Sequence, residues 1–347
     1  MSDDRRRPGQ HESRRDEALR RWIAEEVHPF SEPVRAQLER SGLGRRGVRV
    51  AGDLARLPVT ELGDLGDGRG HVLEPTAERI QESAGPGLRV RLMAADVLGR
   101  REGFARHDVD LPYKPVRWTV ERHVAGPLFV AATNTDLDRL AALGRRALAV
   151  SGITPADRLL CTGAGIGPLQ LELGASDAGV AHLVVESPLA ASVLADAAPT
   201  VVAGPPATLS RLVDAGLPAS VRLLVAHVGA AGGEDLVALR RRAGRPVRLW
   251  WAPPGVRAAW ATCEADQLHT WPEHEHLEVV DDEGLPAESG RLVWSAVGWR
   301  GSVWLRVALG PEGRVDRSAC SCGRTTPRVR GAARVRRTPE PAGGSRR

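Results

Sequence analysis

Residues 158–186 read RLLCTGAGIGPLQLELGASDAGVAHLVVE, and their rhythm decides the fold. A short apolar run, RLLCTG, leads into small residues. LQLELGASDAG, residues 169–179, has helical spacing and ends on glycine. AHLVVE, residues 181–186, is a second short apolar run. A strand, a helix and a strand in so short a span form a βαβ unit, which predicts a parallel sheet.

The same alternation continues outward. Downstream come PLAASVLADAA (188–198), TVVAG (200–204), PPATLSRLVDAG (205–216), VRLLVAHVG (221–229), GEDLVALRRRAG (233–244) and VRLWWA (247–252). They read alternately as helix and strand, and the helix at 205 carries proline in its first turn. Upstream, DLDRLAALGRRALAV (136–150) is one more helix. The period is structural, with no repeat in sequence. After about residue 270 the helices stop, and HLEVVDDEG, GRLVWSAV and SVWLRVALGPEG read as strands between turn residues. The expected fold class is therefore α/β: mostly parallel βαβ sheet layers with a small antiparallel β-subdomain near the C-terminus.

Nearer the N-terminus, Leu19, Trp22, Ile23 and Val27 fall on one helical face. Ser31 is a plausible cap for a helix over 32–41, and VAGDLARLPVTEL (50–62) reads as a short helix and turn. Residues 64–110 carry no clear pattern. The expected organisation is a disordered basic tail at 1–13, a helical and mixed part at 14–130, a βαβ core at 131–260, a β-subdomain at 261–334 and a second disordered tail at 335–347.

Composition narrows the class. The chain has 347 residues and 42% hydrophobic residues, enough for a large core. No run of about 18 apolar residues predicts a membrane span, and the N-terminus has no apolar segment of a secretory signal. A cytoplasmic protein is expected. Net charge is +5, but much of the positive charge lies in the two tails. No nucleic-acid motif accompanies it, so a nucleic-acid partner is not expected. Four cysteines in a long chain of this kind read as metal ligands or buried thiols rather than as a disulfide framework.

Two constellations could carry chemistry. TGAGIGP places Gly163, Gly165 and Gly167 between a strand and a helix. This is part of a dinucleotide-binding fingerprint, but its third glycine position is Pro168, and the only acidic residue near the expected distance is Glu186. A tight strand-to-helix turn at a pocket edge is the ordinary reading. The second set is Cys263, His269, Cys320 and Cys322. Three thiolates and one imidazole would complete a tetrahedral structural zinc site, with His274 and His276 as rival imidazoles. The ordinary alternative is a cysteine-bearing turn beside exposed histidines. Nine tryptophans, among them Trp250, Trp251, Trp260, Trp271, Trp294, Trp299 and Trp304, could line an aromatic pocket, although core is their commoner use. Ser-His-Asp catalysis has no local support, and Asp281 and Asp282 read as a solvated turn.

Taken in order, these segments resemble the large domain of the phenylacetate-CoA ligase branch of adenylate-forming enzymes, from about residue 20 to 334. LLCTGAGIGPLQLELGASDAGV is similar to its glycine-rich pocket segment. APTVVAGPPATLSRLVDAG is similar to its next βα unit. VAHVGAAGGEDL is similar to its adenine loop, carried here by Gly232, Gly233 and Glu234. CSCGRTTPRVRG is similar to its cysteine turn before the hinge, which implies metal ligands there. The resemblance further implies a small carboxylate or aryl ligand and a homodimer.

The departures matter as much. The branch's Ser/Thr-rich phosphate loop should fall near ERHVAGPLFVAAT (121–133), where Gly126 alone remains of its glycines. Its aromatic-Gly-x-x-Glu motif aligns with WAPPG, so Trp251 could stack on a base but Gly255 stands where the magnesium ligand would be. No aspartate follows Arg306 to hold a ribose, and the one lysine, Lys114, matches no catalytic position. The resemblance ends before the branch's small C-terminal domain. Losing one charge-stabilising contact of this kind costs roughly 3–4 kcal/mol. The expectation is a non-adenylating ligand-binding or partner-protein-binding role in specialised metabolism, with ATP and magnesium not held; the alternative is a truncated carboxylate-activating ligase.

Overall fold

The computed structural model describes residues 9–331, apart from 77–78, 81, 83–89, 91–92, 95–96, 98–110, 124–125, 187–189 and 230–232. The expected tail at 335–347 lies outside the described residues, as does most of the unassigned stretch 64–110. Helix α1, Gln10–Trp22, begins inside the stretch expected to be a disordered tail. The start is held by His11, which is buried, with Nδ1 2.7 Å from Glu273 Oε1 and Nε2 3.3 Å from Thr325 Oγ1. Composition marked residues 10–13 as solvated because these partners lie more than 260 residues away in sequence. Leu19, Trp22, Ile23 and Val27 bury one face of the helix and of the wider turn that continues it, as their spacing predicts. Helix α2, Glu32–Arg40, is capped by Ser31, whose hydroxyl accepts from the Val34 N–H.

A two-stranded hairpin follows, β1 Arg117–His123 and β2 Gly126–Ala132. Helix α3, Asn134–Val150, is entered through a capping box between Thr133 and Asp136. Asp136 is buried and also accepts from the Arg300 and Gly301 N–H groups, so the helix start is tied to a loop of the C-terminal half.

The alternating core is then β3 Arg158–Thr162, α4 Ile166–Ala178, β4 Ala181–Val185, α5 Ala190–Ala197, β5 Val201–Gly204, α6 Pro206–Ala215, β6 Leu223–Val228, α7 Gly233–Arg242 and β7 Val247–Trp251. These five strands are parallel, in the spatial order β4-β3-β5-β6-β7. Over β3, β5 and β6 both sheet faces are covered, which explains their near-continuous apolar runs, while the edge strand β4 is exposed. On one face Leu159, Cys161, Val201, Ala203, Leu223 and Val225 join the core with α3 and α4. On the other, Leu160, Val202, Leu224 and Ala226 pack with Leu209, Leu212 and Leu239 of α6 and α7. Each fully buried leucine or valine contributes about 1.5–3 kcal/mol of transfer free energy.

The C-terminal strands are β8 Trp260–Thr262, β9 Leu268–His269, β10 Glu275–Val280, β11 Gly290–Ala296, β12 Val307–Asp316 and β13 Arg328–Arg330. They are antiparallel, and they join the parallel sheet edge to edge through β8 and β9, giving eleven strands in all. Six of the seven tryptophans in this region are almost fully buried, and Trp251 is 5% exposed. Glu275 organises them: its carboxylate accepts from the indoles of Trp260 and Trp294 and from the Trp271 N–H. Strand β12 starts only at Val307, because Arg306 has φ 49° and its buried guanidinium donates to the carbonyls of Ala55, Leu57 and Gly284. Among the described residues no helix is long and apolar enough to cross a membrane.

Candidate functional site

The strand order contains a reversal. From β3 the chain winds outward to β4, then returns past β3 to β5. Loops leaving β3 and β5 therefore diverge at their carboxyl ends and open a crevice, the place where ligands bind in open α/β sheets. A cavity of about 330 Å³ lies there.

Its first wall is the turn between β3 and α4. Gly163 and Gly165 have φ of 113° and 104°, values that L side chains rarely adopt. Gly167 lies within α4, where a Cβ would stand 3.2 Å from His227 Nδ1. Gly165 and Gly167 line the cavity, while Gly163 packs behind them against Pro205. The second wall is Pro205–Ala207 after β5, and the third is formed by the ends of β6 and β7, with His227, Gly229, Trp250 and Ala252. Of the three predicted glycines, two therefore line the cavity and the third lies behind it.

Two titratable side chains enter this wall. Glu121, from β1, accepts the Ile166 N–H at the N-terminus of α4 through Oε1 at 2.9 Å. Burial pushes its carboxyl up to about 6, against the lowering effect of that bond. His227 ends an apolar strand and is 9% exposed, with no hydrogen-bond partner for either ring nitrogen among the described residues. Burial pushes its imidazole down to about 4, so it is neutral at physiological pH. Its ring meets Trp250 edge-on, with centroids 6.0 Å apart. Sequence reasoning passed over both groups. A histidine inside the apolar run LLVAHV was a readable signal; Glu121 had none, since only the hairpin's docking brings it to α4.

The residues expected from the resemblance are less concentrated. Trp251 is buried, donates to the Gly229 carbonyl at 3.1 Å and packs on Trp260 at 5.3 Å; its neighbour Trp250 is the one that lines the cavity. Gly233 and Glu234 open α7, and Gly232 lies outside the described residues. Gly255 takes φ 92°, beside the Trp304 indole that donates to its carbonyl. The expected phosphate-loop position is occupied by the β1–β2 hairpin. Lys114 is exposed in the turn before β1.

The cysteine set converges elsewhere. Cys263 follows β8, His269 lies in β9, and Cys320 and Cys322 sit in the turn before β13, which pairs with β9. Their ligand atoms all lie within 4.8 Å of one another. Cys263 Sγ is 3.9 Å from Cys320 Sγ, and Cys322 Sγ is 3.5 Å from His269 Nε2. A tetrahedral ion with metal–sulfur bonds of about 2.3 Å requires ligand atoms about 3.8 Å apart. His269 Nδ1 is hydrogen bonded to Thr326 Oγ1 at 2.8 Å, which orients the ring and leaves Nε2 for the cluster. His274 packs edge-on against Trp299 and His276 lies 3.9 Å from Glu278, so neither rival belongs to the set. These four residues can hold a metal ion, and the set has no fifth protein ligand among the described residues.

No protein-family model matches the chain, and no curated protein matches it in sequence. Solved structures do. An open conformation of 2-hydroxyisobutyryl-CoA ligase in complex with 2-HIB-AMP and CoA superposes with a TM-score of 0.66 and 16% identity, covering 93% of this chain and 68% of that one. The same ligase in the postadenylation state with R3-HIB-AMP gives 0.67, 15%, 93% and 66%. In the thioesterification state it gives 0.65, 17%, 94% and 68%. This chain spans about two thirds of the ligase's length. It has the large-domain fold of adenylate-forming enzymes, and at such identities the likeness concerns the fold alone.

Proposed function

We propose that this chain is a ligand-binding protein on an adenylate-forming fold, and that it does not itself adenylate. The observation that carries the reading is Glu121. Acyl adenylation builds negative charge on a phosphoryl group, which cations and oriented donors must stabilise. The described lining of the cavity contains no lysine or arginine, and its one formal charge is the Glu121 carboxylate. That carboxylate already takes the Ile166 N–H, a donor at a helix end otherwise suited to an anion. Gly255 offers no carboxylate for magnesium, and the β1–β2 hairpin stands where a phosphate loop is expected.

Zinc is the ion we assign to Cys263, His269, Cys320 and Cys322, because three thiolates and one imidazole select it over harder cations. Four protein ligands make a closed site, so its role is structural.

Calorimetric titration of the full chain with ATP and with AMP, each with magnesium, tests the main reading. No binding heat is the expected result. Micromolar binding together with carboxylate-dependent pyrophosphate exchange would replace it with the alternative, a truncated carboxylate-activating ligase.

A further inference from the structure

We propose that the cavity at the carboxyl end of the sheet takes a small aryl amidine or arylalkyl amine, bound as its cation by the Glu121 carboxylate beside the His227 imidazole. The inference rests on the reading of this cavity as a ligand site. It departs from the fold's usual cargo, a carboxylate, in the sign of the charge recognised.

Four observations carry it. First, the anion place at the N-terminus of α4 is already filled from within: Glu121 Oε1 accepts the Ile166 N–H at 2.9 Å. A ligand carboxylate there would meet a like charge and find its donor occupied. Second, Glu121 Oε2 has no donor among the described residues, so it remains free to accept from a ligand N–H. Third, His227 is more than nine-tenths buried on the cavity wall with both ring nitrogens unpartnered among the described residues. A buried imidazole without partners is rare; both nitrogens are closed to solvent in this conformation, so a ligand N–H reaches one only when the ring turns toward the cavity. Being neutral, it can accept from an amine or amidine, which an imidazolium could not. Fourth, the remaining lining is largely apolar, with Ile166, Pro168, Pro205, Pro206, Val228 and Trp250 around the space. A volume of about 330 Å³ accommodates one substituted aromatic ring.

Glu121 and His227 are the only titratable groups in the described lining, so no cation competes with the ligand for the carboxylate.

The test pairs two probes of equal shape and opposite charge, benzamidine and benzoate, titrated calorimetrically into the full chain at neutral pH. Benzamidine is expected to bind at least about tenfold more tightly than benzoate, as a charge-assisted hydrogen bond implies. Glu121→Gln keeps an acceptor for the Ile166 N–H and removes the charge; it should erase that preference while the thermal melt stays close to that of the wild type. Benzoate binding as well as benzamidine does, or an unchanged preference in Glu121→Gln, overturns the proposal. So does failure of both probes to bind, an outcome that leaves the non-adenylating reading to its own ATP and AMP titration. Binding of benzoate together with ATP and magnesium overturns both.

Discussion

Asp157, in the turn before β3, collects donors from three segments of the chain. It accepts from the Thr154 N–H at 2.9 Å, the Thr200 hydroxyl at 2.8 Å and Arg222 Nε at 2.8 Å. Burial opposes its ionisation, but the Arg222 guanidinium and these N–H and O–H donors outweigh burial and hold the carboxyl well below the usual range. A depressed native pKa means the unfolded chain binds the proton more readily. The stabilisation is therefore fully present above the ordinary carboxylate range and is lost progressively as pH falls from that range through the depressed native value. Asp157→Asn should cost about 1–3 kcal/mol at neutral pH, the lower end applying if water around the half-exposed Arg222 screens its share. Urea denaturation of wild type and variant from neutral to acid pH checks this; the gap should close as pH falls. At this scale the cysteine–histidine cluster was legible as a candidate metal site, because three of four cysteines and a histidine are rare enough to be read by type. Glu121 was not, since a glutamate on a strand is ordinary until a helix end is placed 2.9 Å away.

Helices α3 and α4 pack backbone to backbone, and two glycines allow it. A Cβ on Gly144 would stand 2.2 Å from the Gln170 carbonyl, and one on Gly174 would stand 2.4 Å from the Gly144 carbonyl carbon. Both obstacles are backbone, so neither can move aside as a flexible side chain would. Gly144→Ala should force the helices apart and destabilise the protein by about 1–3 kcal/mol, read as a lowered thermal midpoint. Because α4 also presents Ile166 and Gly167 to the cavity, benzamidine affinity should fall in the same variant. Helical periodicity over 136–150 was enough to place α3. Neither glycine carried a local signal of contact, because a glycine inside a helical pattern looks the same whether it meets solvent or another backbone.

For the whole molecule, the question is how the antiparallel half is secured to the parallel half. Strand β9 is two residues long, and it pairs with β13 through two residues. The cysteine–histidine cluster clasps the ends of β8 and β9 to the turn before β13 across this narrow joint. Elemental analysis of protein purified without chelator should find about one zinc per chain. Removing a ligand that binds only the native state subtracts its binding free energy from stability. Chelation, or Cys320→Ser, should therefore lower the melting temperature by roughly 5–10 °C. Failure to find zinc in freshly purified protein would remove the assignment.

The α/β class, the sequence of strands and helices from 136 to 252 and the candidate metal ligands followed from sequence alone. They depend on local periodicity and on residue type, which need no knowledge of distant partners. The burial of His11, the docking of the hairpin that delivers Glu121 to α4, the choice of Trp250 over Trp251 at the cavity and the choice of His269 over His274 and His276 were decided by tertiary structure. Each depends on groups far apart in the chain meeting within a few ångströms, and register, strand order and helix packing set those distances.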